Sequence, residues 1–230
     1  MKLSKNALAA IALCLTVMLL GCTNQPPTPD WQMTADSSAQ RGISAFLQGD
    51  QRVEKLEFAR ARAATARTGT PLLLARLELL RCAAEVASLK LGPCAAFEAL
   101  RPDAAAPERA YANYLTGQVS ASDAGQIALL PTAQRSVASA ANPAAALVAL
   151  QAITEPLSRL VAAGVLLQTG RADPPVLALA ADTASAQGWR RPLLAWLLVQ
   201  SKNAQAAGDT AEVARLQRRI AIVESGGAAP

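Results

Sequence analysis

The stretch PLLLARLELLRCAAEVASLKLGPC, Pro71 to Cys94, decides the fold. Leu, Ala, Arg and Glu dominate it, all good helix formers. Gly69-Thr70-Pro71 supplies a stop, an N-cap and a proline for the first helical position. An α-helix turns by roughly 100° per residue, so Leu73, Leu77, Leu80, Ala84 and Ala87 form one apolar stripe. Ala75, Leu79, Cys82 and Val86 form a second stripe on the opposite side, and Glu78, Arg81 and Glu85 share a flank between the two. A helix apolar on two sides needs neighbours on two sides. The segment therefore reads as an interior member of a layered helical array.

The same punctuation recurs outward from it. Gly49-Asp50 and Gly208-Asp209 each read as a stop followed by an N-cap, and Glu212 is spaced for a capping box with Asp209. Asn142-Pro143, Glu155-Pro156 and Asp173-Pro174 read as further starts. No alternating strand pattern occurs past Trp31. The spacing predicts helices over 34–48, 50–68, 71–88, 94–100, 107–116, 122–129, 131–140, 143–153, 155–169, 174–187, 191–207 and 209–224. The expected fold is all-α, one array of antiparallel helical hairpins over 32–225, with short irregular helices in the middle and a disordered tail over 226–230.

Two segments look alike: FLQGDQRVEKLEFARARAATARTG from Phe46 and NAQAAGDTAEVARLQRRIAIVE from Asn203. Each ends one helix at Gly-Asp and starts another with small and apolar residues three and four apart. They resemble tetratricopeptide-type helical hairpins. Gly42, Gly49, Asp50, Phe58 and Ala61 carry the resemblance in the first unit, and Leu197, Ser201, Gly208 and Asp209 in the second. Glu54 stands where that family has a small Ala, Arg41 where it has an apolar residue, and Gln217 where it has an aromatic one. The resemblance implies a right-handed stack of hairpins.

The N-terminus gives an address. Met1 to Lys5 is a short positive region, and Ala7 to Leu20 is an apolar run too short to span a bilayer comfortably. It ends in Leu19-Leu20-Gly21-Cys22, then turns at once into Pro26, Pro27 and Pro29. This resembles the lipobox of bacterial lipoproteins. The resemblance implies a signal peptide over 1–21, cut before Cys22, and diacylglyceryl and palmitate chains on Cys22. Thr23 stands where an Asp would signal inner-membrane retention, so the resemblance points to the outer membrane, periplasmic face. Residues 22–31 then read as a lipidated cysteine and an extended tether. Two or three acyl chains hold a protein far better than one.

Of four cysteines, Cys14 falls in the signal and Cys22 at the anchor, which leaves Cys82 and Cys94. Export favours a disulfide between them; two buried free thiols are the alternative. A metal or redox pair would need a His or a Cys-x-x-Cys, and the chain has neither. A bridge closing this loop is worth about 3 kcal/mol on the chain-entropy model. It sets a condition. A helix unbroken from Cys82 to Leu91 would carry the chain about 13 Å away, and three residues reach back about 10 Å at most. The helix must therefore end near Ser88 or Leu89, with Gly92 and Pro93 making the turn.

The absence of His removes Ser-His-Asp and Cys-His chemistry and the commonest transition-metal ligand. No phosphate-binding glycine loop is present. Glu224-Ser225 mimics a dipeptide of murein-cleaving lipoproteins, but no following domain builds a cleft around it. Glu54 with Glu57, and Glu78 with Glu85, read as solvated ion-pair faces beside Arg and Lys. The formal net charge of +5 falls by two when Lys2 and Lys5 leave with the signal, too mild and too dispersed for a nucleic-acid reader.

Two surface features are candidates for partner binding. Arg215, Arg218 and Arg219 cluster opposite the apolar stripe Val213, Leu216 and Ile220. Trp189, Arg190 and Arg191 combine residue types common at binding hot spots; the blander reading puts Trp196 in the core and Trp189 over a helix junction. The expectation is a non-enzymatic lipoprotein without metal or cofactor. Its partners would be the outer membrane, through Cys22, and an envelope protein complex for which it acts as scaffold or assembly factor, and not nucleic acid. The alternatives are a peptidoglycan-associated enzyme or hydrolase activator, and a small-ligand or lipid carrier.

Overall fold

Proline and short polar residues set the helix starts. In the computed structural model, which describes residues 27–226, Asp50 accepts hydrogen bonds from the backbone N–H groups of Arg52 and Val53. Asn142, Glu155, Asp173 and Asp209 cap four later helices in the same way. Pro71, Pro143, Pro156 and Pro174 take first helical positions, where the missing N–H costs nothing. At Asp209 only half of the expected capping box forms. Its carboxylate accepts from the Glu212 N–H, but the Glu212 side chain turns to Arg215 instead of reaching back.

Among the described residues the fold is all-α: α1 (Asp30–Gln48), α2 (Gln51–Ala66), α3 (Pro71–Ala87), α4 (Ala95–Glu98), α5 (Ala106–Leu115), α6 (Ala124–Leu129), α7 (Thr132–Ala138), α8 (Pro143–Ala152), α9 (Pro156–Gln168), α10 (Pro174–Ala186), α11 (Arg190–Ala206) and α12 (Thr210–Ser225), with one 3₁₀ turn at Arg101–Asp103. Chain contacts separate residues up to Asp30 from a body that runs from Trp31 onward. The first helix begins at Asp30, earlier than 34, because Pro29 stops the extended segment and Asp30 suits a positive helix N-terminus. The expected lipidation site Cys22 and signal 1–21 lie outside the described residues, as do the tail residues 227–230; Gly226 caps the end of α12.

The two stripes of α3 serve two cores, except that Ala87 of the first stripe joins the larger core. Leu77 and Ala84 pack with Ala39, Ile43, Phe46 and Phe58 of α1 and α2. Ala75, Leu79, Cys82 and Val86 join the larger core that runs through α5 to α12. The close approach of Gly42 to the Phe58 ring, where a Cβ would stand 3.1 Å away, fixes the α1–α2 pair. From α9 onward consecutive helices pack in order, α9 on α10, α10 on α11 and α11 on α12.

The centre departs from a stack in which each unit meets only its neighbours. Helix α9 lies directly against α3. Gly164 permits this, because a Cβ there would stand 2.5 Å from the Val86 carbonyl oxygen. Trp196 of α11 is fully buried and donates its indole N–H to the Ala87 carbonyl, 3.1 Å away. A buried relay ties in the middle: the Tyr114 hydroxyl donates to Gln134 Oε1 at 2.9 Å, and Gln134 Nε2 donates to the Ser158 carbonyl at 3.0 Å.

Cys82 and Cys94 are joined, with 5.6 Å between their Cα atoms. As the reach of the chain required, α3 stops at Ala87. Lys90 N–H bonds back to the Glu85 carbonyl at 2.9 Å, and Leu89 adopts a φ of 58°, the left-handed turn with which many helices end. A β-carbon in that region is disfavoured, so Leu89 holds a conformation that glycine usually supplies.

A candidate partner groove along the central helix

Helix α3 is not covered all round. Leu80 belongs to the first stripe but is 39% exposed. Of that stripe only Leu77 and Ala84 enter the core shared with α1 and α2, and Leu73 remains half-buried. The uncovered strip opens into two hollows that share Arg76 and Leu80. One, about 370 Å³, lies against Trp31, Ala35, Asp36 and Ala39 of α1. The other, about 340 Å³, lies against Pro107, Glu108 and Tyr111 of α5 and Leu129–Pro131 at the α6–α7 corner. Leu79 and Ala83 line the second hollow together with Leu129, itself 39% exposed.

One ion pair sits where the hollows meet. Arg76 Nε donates to Glu108 Oε1 at 2.7 Å. The arginine is mostly exposed, whereas the Glu108 side chain is nine-tenths buried. Glu108 Oε2 has no hydrogen-bond partner among the described residues. Asp36, exposed in the first hollow, makes no ion pair among the described residues.

The paired carboxylates are not the solvated faces that their spacing suggested. Glu54, Glu57 and Glu78 are buried. Each is covered by an arginine from another helix: Glu57 by Arg41 at 3.0 Å, Glu78 by Arg62, and Glu54 by Arg81 at 3.5 Å. Helical spacing places two residues on one face, and that face here turns toward a neighbouring helix. The Arg41 hydrogen bond outweighs burial and holds the Glu57 carboxyl below the usual carboxylate range, with help from Ser38 and Arg60. These groups act as interhelical clamps. Arg81 also stacks over Phe58 at 5.3 Å, and with Glu78, Glu85 and Lys90 it lines a cleft of about 390 Å³ beside the disulfide.

The residues singled out for partner binding fall into two groups. Trp189 packs against both cores. Arg190 donates to the Glu224 carbonyl at the end of α12, at 2.8 Å. Arg191 stacks on the Phe46 ring at 4.3 Å, donates to the Phe46 carbonyl at 2.6 Å and approaches Glu54 at 3.8 Å. These three join helices. Arg215 is held by both oxygens of Glu212. Arg218 and Arg219 make no ion pair among the described residues, and Arg218 is exposed. Glu224 and Ser225 are exposed at the last turn of α12.

Among the described residues no three His, Cys, Asp or Glu side chains are grouped to hold a metal ion. Nor is any described helix long and apolar enough to cross a membrane. The α3 groove was not legible in the sequence, because Leu80 has the same periodicity as its buried neighbours and only the reach of α1 leaves it open. No protein-family model matches the chain, and no curated protein or solved structure matches it at a significant level.

Proposed function

We propose that this chain is a lipoprotein anchored at Cys22 to the periplasmic face of the outer membrane, where it works as a non-catalytic scaffold for an envelope protein complex. The lipobox resemblance at Leu19 to Cys22 supports the anchor. The α3 groove carries the scaffold reading: it is an open, largely apolar strip, with Leu80 and Leu129 exposed on either side of one hollow. Exposed contiguous apolar surface of this kind marks interaction sites. The interhelical clamps and the disulfide keep its walls fixed, which lowers the cost of ordering on binding.

A photo-crosslinking residue placed at Leu80 in the intact envelope tests the partner claim, with one at the more accessible Val148 as comparison. A discrete protein adduct from position 80 alone is expected; no adduct, or the same adduct from both positions, rejects it. The anchor is tested separately. Cys22→Ala should move the folded protein from the membrane to the soluble periplasmic fraction, and its persistence in the membrane fraction rejects anchoring by this route.

A further inference from the structure

The groove along α3 is apolar on its floor and acidic at its edge, and together these specify an occupant. Leu73, Leu77 and Leu80 follow one another at spacings of four and three residues, which marks out about 10 Å along the helix axis. The same interval separates aliphatic residues at i and i+7 on a second helix. The charge is unbalanced: Asp36 lines one hollow and Glu108 the other, and the two share one arginine, Arg76. Among the described residues Asp36 has no ion-pair partner, and Glu108 Oε2 is buried without a donor. A buried carboxylate oxygen left unsatisfied is costly, and a donor brought by a partner removes that cost. Arg76, mostly exposed, is free to move aside or to share Glu108 with an incoming cation.

We infer that the α3 groove docks a short amphipathic helix of a partner protein, seated between Trp31 and Pro131, with an aliphatic row in the two hollows and a lysine or arginine directed to Asp36 and Glu108. Helices placed in apolar grooves are read through anchors at i, i+4 and i+7, and a complementary charge fixes their direction. This inference rests on the scaffold reading and adds the chemistry of the partner to it.

The test uses the purified full chain with its disulfide intact and two labelled helical peptides of about 14 residues, long enough to carry some helix. Both carry leucine at i, i+4 and i+7; one has lysines beside this row and the other glutamates. In fluorescence anisotropy at low salt, the lysine peptide should bind at least about tenfold more tightly than the glutamate peptide. Leu80→Lys should weaken it about tenfold and Asp36→Asn about threefold. Both positions are exposed, so the thermal midpoint should stay unchanged. No binding, equal binding of the two peptides, or binding indifferent to Leu80→Lys overturns the inference. Displacement of the lysine peptide by neutral phosphatidylcholine vesicles also overturns it, because the groove would then take acyl chains. The measurement reads neither acylation of Cys22 nor location in the envelope, so a failure of anchoring and a failure of the groove chemistry are distinguishable.

Discussion

The indole of Trp196 closes the end of α3: its N–H donates to the carbonyl of Ala87, 109 residues earlier in the chain, from a fully buried position. The last carbonyls of a helix have no partner within it. Here a side chain from α11 supplies one and fills part of the larger core. Trp196→Phe keeps most of the packing but strands the carbonyl and leaves a small void. It should cost about 2–4 kcal/mol in chemical denaturation, more than the hydrogen bond alone. A loss well below 1 kcal/mol would mean that the carbonyl finds water.

Gly164 fixes the distance between α9 and α3. A methyl group there would meet the Val86 backbone, which cannot turn aside as a side chain can. Gly164→Ala should therefore destabilise by about 1–3 kcal/mol. Gly125 in α6 has nothing within 4 Å of the added carbon, so Gly125→Ala should be neutral or stabilise by up to about 1 kcal/mol. Thermal midpoints of the pair separate close packing from helix propensity.

The bridge between Cys82 and Cys94 holds a turn in which Leu89 carries a left-handed conformation. Replacing both cysteines with serine should lower stability by about 3 kcal/mol. Adding reductant to the unaltered protein should approach the same midpoint. Indifference of the midpoint to reductant would show that core packing alone holds the turn.

Acid should loosen the first hairpin. Arg41 holds the Glu57 carboxyl below its ordinary range in the folded chain. The unfolded chain therefore takes up that proton first as pH falls. The contribution of the pair is present above the ordinary carboxylate range and is lost as pH falls through the lowered folded value. Between neutral pH and about pH 3, the unaltered protein should lose more of its thermal midpoint than Glu57→Gln does. Parallel curves for the two would place the acid sensitivity elsewhere.

Helix positions were the most legible part of the chain, because proline, Asp, Asn and Gly mark starts and stops through local chemistry. The stripe pattern of α3 also foretold two cores, since Leu77 and Leu79 point to opposite sides. What stayed hidden depends on distant segments. Nothing near Gly164 announces that Val86 will lie against it, and nothing near Glu54 announces that Arg81 and Arg191 will cover it. The groove was hidden for a related reason: Leu80 differs from Leu77 only in what α1 happens to reach. Arg191 looked like a surface hot spot because its covering partners, Phe46 and Glu54, lie far away in the chain.

That strut has a consequence for synthesis. Arg191 reaches the Phe46 carbonyl across 145 residues. At the usual pace of translation Phe46 emerges about 7–30 s before the guanidinium that locks it. During that interval Phe46 lacks the guanidinium that stacks on it and Glu54 has only Arg81, and the nascent segment is a natural client for a holding chaperone. A chain that ends before Arg191 would lack this strut and leave its first hairpin more open to protease.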